Sequence, residues 1–398
     1  MLKSPRDALR PENKPTPGGK PPRSERARSP AVALGNGVFT FLLLAAAGFF
    51  AAIYFGGKEF EAKGPLAQES IVLVPKGSGT VEIADALASQ GVIDSATLFA
   101  IAVRVIGKSD ELKAGEYAFP AGVSMSGVVD ILVDGKAIQH SITIPEGLTT
   151  QMIVERLRQD PVLVGDITSS PAEGALLPDT YLFERGTSRE QMLQRMQNAH
   201  KKLVAEIWAR RSPDIILKSP NELVTLASIV EKETGVADER PRVASVFHNR
   251  LNKRMKLQSD PTIIYGIVGG KGKLDRPLSR ADIKGATAYN TYVIPGLPPG
   301  PIANPGRASL EATANPMRTD ELFFVADGTG GHAFATTLED HNANVRRWRE
   351  IEKSRNTEPG EAGGTGLLEE DAAAAEAAAE PAAEPAKPAK KKKQPAVN

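Results

Sequence analysis

Two glutamates separated by one residue, Glu231 and Glu233, are well placed for acid–base chemistry in this sequence. They end a stretch, residues 219–234, that has the pattern of a helix: Ser219 can cap the first amides and Pro220 suits the first helical position. Apolar residues recur at three- and four-residue steps, so one face is expected to be buried. In the last helical turn, the negative end of the helix dipole and partial burial both raise a carboxyl pKa. The pattern therefore predicts a carboxyl group able to hold a proton near neutral pH, as a general acid must.

Helix geometry does not choose between the two glutamates. On a helical wheel they lie roughly 80° to either side of Leu223, at the two boundaries of the apolar stripe. Glu222 completes a predicted capping box, and Gly235 is the predicted C-terminal stop. Either glutamate could be the acid, or both could be solvated residues at a helix end, so the surroundings must decide.

The chain after this helix crowds amides, hydroxyls and aromatic rings into turn-rich loops, which commonly line binding sites. Tyrosine rings beside amide and carboxyl groups suit a sugar polymer, because a sugar ring has an apolar face and a hydroxyl edge. Taken singly, each of these residues is also typical of turns and caps. We predict that the following residues bind the substrate: Gln258, Asp260, Thr262, Tyr265, Tyr289, Asn290, Thr291, Tyr292, Asn304 and His332.

Other chemistries fit the sequence poorly. It contains no phosphate-binding G-x-x-x-x-G-K-[ST], no H-E-x-x-H and no G-x-S-x-G motif. Its five histidines lack metal-ligand spacing, and it has no cysteine, so a thiolate metal site and a cysteine nucleophile are excluded. A net charge of +1 gives no reason to expect nucleic acid. We therefore expect no metal and no cofactor.

Both ends differ from the middle of the chain. Residues 1–37 carry eight basic and three acidic residues among many prolines, which predicts a disordered segment. The uncharged run 38–55 would extend roughly 27 Å as a helix, enough to cross a bilayer, so we predict a transmembrane helix over 38–57. The alternative is a cleaved signal peptide. The basic flank puts the first segment in the cytoplasm and the chain from about residue 58 outside, while residues 354–398 have the composition of a disordered tail.

A repeat follows the apolar run. Val74-Pro75-Lys76-Gly77 and Ile144-Pro145-Glu146-Gly147 match position by position at an offset of 70, and residues 119–122 form a weaker copy. Each copy has a short strand-like run, a Pro-x-Gly turn and a helical pattern. Three strand–turn–helix units predict a small α+β module over 66–157, acting as a spacer or as a weak binder of polysaccharide. Helices are predicted from Arg189 to Arg210 and from Arg240 to Leu251, ahead of the polar loops.

These motifs, taken together, make the chain resemble the YceG-like (MltG) family of endolytic murein transglycosylases. The resemblance covers roughly 66–353, and its most specific blocks are 227–234 (ASIVEKET), 243–247 (VASVF), 249–251 (NRL), 257–262 (LQSDPT), 288–292 (AYNTY) and 296–300 (GLPPG). It implies an α+β fold: one transmembrane helix, a LysM-like α+β subdomain at 66–157 and a catalytic domain at 158–353. It also implies a single-pass protein of the bacterial inner membrane whose catalytic part is periplasmic, acting on peptidoglycan strands, with penicillin-binding proteins or other wall synthases as partners.

The resemblance assigns the catalytic acid to Glu233. It implies cleavage of the bond between N-acetylmuramic acid and N-acetylglucosamine within a strand, leaving a 1,6-anhydro end without consuming water. Asp260 or Glu231 could serve as a second carboxylate if the protein were instead a hydrolase. The remaining alternative is a membrane-anchored, non-catalytic scaffold that binds glycan.

Overall fold

The computed structural model describes residues 30–356 of the chain. The predicted disordered segment at the N-terminus and the predicted tail therefore lie mostly outside the described residues. The boundaries differ at both ends: helix α1 begins at Pro30, within the segment predicted to be disordered, and the last helix, α12, continues to Asn356. Helices extend past an apolar pattern because each added residue gains a backbone hydrogen bond without a new nucleation cost.

The apolar run lies within α1 (Pro30–Glu61), which is long and apolar enough to cross a membrane. Its large apolar side chains are exposed, for example Phe41 and Phe50 at 70% and 69%. Near its end, Phe60 packs against the core of the module that follows. The end of this helix therefore packs as part of that module.

The three strand–turn–helix units form as the repeat predicts. They comprise β1 (Ser70–Val74) with α2 (Thr80–Ser89), β2 (Gly115–Phe119) with α4 (Met125–Asp134), and β3 (Gln139–Thr143) with α5 (Thr150–Gln159); α3 (Ala96–Val105) precedes β2. The turn glycines Gly77, Gly122 and Gly147 all have positive φ, between 69° and 87°. A side chain would be strained in that conformation, which explains why the repeat has glycine there.

The units do not all join one sheet. β1 pairs with β2 in antiparallel register, and these two units share one core. β3 pairs instead with β4 (Thr180–Glu184), and its unit packs in a second core with the start of α6 (Arg189–Ala209). The third unit thus packs against the chain that follows it. The predicted boundary at residue 157 and the likeness to LysM remain predictions.

A third core is built from helices. It joins α6, α7 (Pro220–Glu233), α8 (Arg240–Asn252) and α11 (Arg307–Ala314) through buried residues such as Leu223, Leu226, Val243, Phe247 and Leu310. A 3₁₀ turn, Ala237–Glu239, links α7 to α8. The remaining elements are α9 (Asp260–Val268) with the 3₁₀ turn Gly269–Lys271 after it, α10 (Arg280–Lys284), the antiparallel hairpin of β5 (Phe323–Ala326) and β6 (His332–Ala335), and α12 (Leu338–Asn356).

Candidate active site

Helix α7 places Glu233 at its C-terminal end. At the start of the helix, the Ser219 Oγ accepts a hydrogen bond from the Glu222 N–H at 3.2 Å, as predicted. The reciprocal half of the predicted capping box is shifted, because the Glu222 carboxylate accepts from the Lys218 N–H. The helix ends at Glu233, and the predicted stop at Gly235 follows one residue later, after Thr234 in extended conformation. The hydroxyl of Thr234 accepts from the Val236 N–H at 3.0 Å.

The two glutamates face different surroundings. Glu231 accepts a hydrogen bond from the Gly306 N–H at 2.9 Å and lies 3.9 Å from an Arg240 nitrogen, with its side chain only 6% exposed. Glu233 instead accepts a hydrogen bond from the Ser259 hydroxyl. Glu231 is therefore more buried than the predicted boundary position, because the Gly306 loop covers it. Glu233 faces the loop that carries Ser259.

A strained segment holds the hydroxyl that contacts Glu233. Gln258 has a φ of 52°, an unfavourable conformation for a residue with a side chain. Its side-chain oxygen accepts from the Arg250 guanidinium at 3.0 Å. The backbone N–H groups of Gln258 and Ser259 donate to the carbonyl and the hydroxyl of Thr291, at 3.3 and 2.9 Å. These bonds fix Ser259, which is 2% exposed, against Glu233.

A second carboxyl group lies beside the first. Asp260 begins α9, and its Oδ1 accepts a hydrogen bond from the Tyr292 hydroxyl at 2.8 Å. Burial raises the pKa of Asp260, and the bond from Tyr292 opposes that rise. Asp260 and Tyr292 thus form one wall beside Glu233.

The environment of Glu233 favours its protonated form. Burial raises the pKa of this carboxyl to about 7, and the charge of Asp260 also raises it. The hydrogen bond from Ser259 and the positive charge of Arg250 lower it, but less strongly. A carboxyl with a pKa near neutrality can both donate and accept a proton at working pH. For Glu233 the predicted direction of the pKa shift is confirmed, and burial is its largest cause.

Two predicted aromatic residues lie further along α9 and the loop that follows α10. The rings of Tyr265 and Tyr289 are 4.8 Å apart between centroids. The Tyr265 hydroxyl donates to Glu173 at 3.3 Å, and the other oxygen of Glu173 accepts from the Thr150 N–H at 2.8 Å. Both tyrosines are partly exposed, so their rings are available to a ligand.

Four of the predicted substrate-binding residues have another role in this structure. Thr262, Asn290, Thr291 and Asn304 are fully buried, and each is hydrogen-bonded within the protein. Asn290 donates to three backbone carbonyls and accepts from the Tyr292 N–H. These side chains hold the loops in shape and do not line the site. A polar side chain can either bind a substrate or hold a loop through internal hydrogen bonds. Only the tertiary structure distinguishes these two roles.

His332 lies on β6, in a separate contact. Its Nδ1 is 2.7 Å from a carboxylate oxygen of Glu239, which also bonds to the hydroxyl of Thr234. The Glu239 carboxylate therefore links His332 to Thr234, the residue that follows Glu233. The structure does not bring it into contact with the Ser259 group.

Sequence reasoning assigned no role to three residues of this site: Ser259, Arg250 and Glu173. Ser259 and Arg250 belong to the LQSDPT and NRL blocks, which could have indicated them. Glu173 had no signal, because its partners lie at residues 150, 265 and 304. Among residues 30–356, no group of three or more His, Asp or Glu side chains could hold a metal ion.

An α+β protein with a protonatable glutamate against polar, tyrosine-rich loops is suited to acid–base chemistry on a carbohydrate. The model of the YceG-like family matches residues 72–347, so the chain belongs to the YceG-like family. An endolytic murein transglycosylase of Bacillus subtilis is 32% identical over 301 residues, 68% of this chain and 82% of the relative. One of Streptococcus pneumoniae is 29% identical over 355 residues, 76% of this chain and 62% of the relative. A crystal structure of a yceG-like protein from Listeria monocytogenes is 31% identical, with a TM-score of 0.44, and covers 69% of this chain and 98% of that one.

Proposed function

We propose that this protein is an endolytic murein transglycosylase, a lyase that cuts within peptidoglycan glycan strands. Two curated relatives carry that name. The observation that supports it in this chain is Glu233, a carboxyl with a pKa of about 7 that contacts Ser259 beside Asp260 and Tyr292. The proposed bond is that between N-acetylmuramic acid and N-acetylglucosamine.

Glu233 acts first as the acid. Its Oε1 accepts the hydrogen bond from Ser259, and no described residue bonds to its Oε2. The proton on Oε2 passes to the glycosidic oxygen as the bond from that oxygen to C1 of the muramic acid breaks. The electron pair of the bond leaves with the oxygen, and positive charge develops at C1. The charge on Asp260 is placed to stabilise that centre.

Glu233 then acts as the base. The muramic acid's own 6-hydroxyl attacks C1, and its proton passes to the Glu233 carboxylate, which restores the starting state. The product is a 1,6-anhydro end, and no water is consumed. An intramolecular nucleophile has a high effective concentration, so no second carboxylate has to activate water. Gln258, Asp260, Tyr265, Tyr289 and Tyr292 are proposed to bind the strand, with His332 at its edge.

The test is to incubate the full chain in detergent with uncrosslinked glycan strands and to weigh the products by mass spectrometry. We expect anhydro ends, lighter by one water than reducing ends, and their loss in Glu233→Gln. Glu231→Gln is the matched control on the same helix end and should still cut. Reducing ends would indicate a hydrolase, with Asp260 as the first residue to examine as its second carboxylate. Intact strands with the wild-type chain would favour the non-catalytic scaffold.

We also propose that α1 anchors the protein in the inner membrane, with its N-terminus in the cytoplasm and the catalytic part in the periplasm. The exposed apolar surface of α1 supports the anchor, and the basic flank supports the orientation. The chain has no cysteine, so Lys202→Cys, at an exposed position of α6, would introduce a single thiol. An impermeant maleimide should label it from the periplasmic side; labelling only after lysis would contradict this orientation. Association with penicillin-binding proteins stays a prediction of the resemblance, testable by co-purification.

A further inference from the structure

Helix α3 is apolar on more than the face that it buries. Its sequence is ATLFAIAVRV, in which Arg104 is the only charged residue. Phe99 and Val103, four residues apart, are fully buried in the core of the first two strand–turn–helix units. A surface helix normally has one apolar and one polar face, whereas a helix that is apolar all round lies inside a protein or in a membrane. The apolar residues of α3 outside the core therefore need an explanation.

A second apolar face of α3 is open to solvent. Leu98, Ile101 and Val105 follow one another at three- and four-residue steps, so they lie on one side of the helix, and we call them the α3 face. Ile101 is 56% exposed and Val105 is 79% exposed. Both line a shallow cavity together with Val81 of α2, which is also exposed. Contiguous exposed apolar surface, unlike a single exposed side chain, marks an interaction site.

The α3 face begins where α1 leaves its apolar run. Gly56 directly follows the uncharged run 38–55, and it lies so close to Leu98 that a methyl group on Gly56 would be 3.6 Å from the Leu98 Cδ1. Eight residues further on, a methyl group on Gly64 would be 3.4 Å from the Val92 carbonyl oxygen. Between Val92 and Leu98 the chain therefore approaches the apolar run of α1, and α3 begins within that approach.

The exposure of α1 shows where its contact with this module stops. Four residues at three- and four-residue steps lie on one side of the helix: Phe49, Ile53, Gly56 and Phe60. Gly56 and Phe60 are partly covered by the module, whereas Phe49 and Ile53 are exposed. The contact thus ends at the level of Gly56 and Leu98, which is the level at which α1 would leave the bilayer.

We propose that the α3 face is a second membrane contact, which lies among the lipid headgroups and the first carbons of the acyl chains beside α1. This inference rests on the proposed anchoring of the chain by α1. A helix in the interface of a bilayer buries its apolar side chains to a depth of about 5–10 Å. Arg104, three residues after Ile101, is exposed at the edge of the face, where its long side chain can reach a lipid phosphate.

Lipid fits the α3 face better than a second protein does, because the face continues the apolar surface of α1 at the point where that helix leaves the bilayer. Two membrane contacts also restrain the module more than α1 alone would. With α1 as its only anchor, the part of the chain outside the membrane could tilt freely. The second contact fixes how this part stands on the bilayer surface.

The first test measures the contact with lipid. Because the chain has no cysteine, Ile101→Cys and Val105→Cys can each carry a single NBD fluorophore. Leu182→Cys on β4 is the matched control, since Leu182 is 56% exposed, as Ile101 is. The full chain is placed in vesicles of phosphatidylethanolamine and phosphatidylglycerol that contain a lipid with a nitroxide near its headgroup. This lipid should quench both α3 labels about twofold more than the Leu182 label, or further, because only the α3 labels lie within the interface. Equal quenching at the three positions overturns the proposal.

A label at Phe50→Cys, within the apolar run, separates this inference from the anchor on which it rests. It should be quenched by a nitroxide deep in the acyl chains. Quenching at Phe50 without quenching at Ile101 and Val105 would mean that α1 spans the bilayer and that the second contact alone is wrong. No quenching at Phe50 would overturn the anchor and the second contact together. The cleavage assay of the proposed function uses none of these labels and is unaffected by either result.

The second test changes the α3 face and keeps the label at Val105→Cys. Ile101→Glu places a charge in the interface, which is unfavourable, so it should lower the quenching of this label by about twofold. Ile101→Leu is the matched control and should leave the quenching unchanged. Equal midpoints of urea unfolding for the two variants would show that the fold is kept. Unchanged quenching in Ile101→Glu overturns the proposal. Protection of the Val105 label from iodide in water, without quenching by the lipid nitroxide, would also overturn it, because a second copy or another segment of the chain would then cover the face.

Discussion

The raised pKa of Glu233 implies that this residue lowers the stability of the protein at neutral and alkaline pH. Its pKa is about 7 in the folded protein, against an ordinary value of 4.5. The unfolded chain therefore loses this proton at lower pH than the folded protein does. The stability contributed by the group is complete below pH 4.5 and is lost progressively as the pH rises to 7. Glu233→Gln, which cannot ionise, should remove this dependence.

The size of the effect follows from the two pKa values. Each pKa unit of difference is worth about 1.4 kcal/mol once both states are ionised. The linkage relation then gives the loss in the free energy of unfolding of the wild type, relative to a side chain that stays neutral. This loss is about 1 kcal/mol at pH 5 and about 3 kcal/mol at pH 8. The stability advantage of Glu233→Gln should therefore grow by about 2 kcal/mol between these pH values. The change in this difference between pH 5 and pH 8 is the quantity to compare. Any effect of the amide on stability that does not depend on pH cancels from it.

The assay is urea unfolding of the full chain in detergent at pH 5 and pH 8, for the wild type and for Glu233→Gln. The same two measurements on Glu231→Gln separate this effect from the general loss of one negative charge on α7. Glu231→Gln should be less stable than the wild type at both pH values, because it leaves the charge of Arg240 with less compensation. A Glu233→Gln advantage that is equal at pH 5 and pH 8 would refute the raised pKa, and with it the argument that this carboxyl is the acid.

Two further predictions concern the surroundings of Glu233. Ser259→Ala removes a hydrogen bond that lowers the Glu233 pKa, so the alkaline limit of the pH–rate profile should move to higher pH; a limit that stays in place or moves down would show that Ser259 does not act on this carboxyl. Asn290→Ala removes bonds to three carbonyls and from one N–H, and it should cost about 2–4 kcal/mol of stability, measured by urea unfolding. Asn290→Asp keeps the shape but cannot donate at neutral pH, so full stability in that variant would contradict the donor role of Asn290.

Much of the local structure followed from the sequence, because it depends on neighbours in the chain. The cap at Ser219, the apolar spacing of α7 and the Pro-x-Gly turns act over a few residues. The same patterns therefore predicted α6, α7, α8 and the three strand–turn–helix units. The sequence also predicted the direction of the pKa shift of Glu233, because the apolar stripe beside this residue indicates a buried face of the helix.

The pairing of strands was not determined locally. The first and third units match closely in sequence, yet β1 pairs with β2 and β3 with β4. Short strands of similar composition can pair with several partners, and the choice depends on which cores close around them. The sequence repeat therefore predicts the three units, but it does not predict which strands pair.

The sequence by itself determined which residues could act: a helix that ends in two glutamates, followed by loops rich in hydroxyls, amides and tyrosines. Only the tertiary structure decided what surrounds each of them in this fold. Gly306 and Arg240 enclose Glu231, while Ser259 and Asp260 meet Glu233. Polar groups such as Asn290 turned inward because buried backbone carbonyls need donors. The physical reason is that burial and hydrogen-bond partners come from chain segments distant in sequence, which no local pattern specifies.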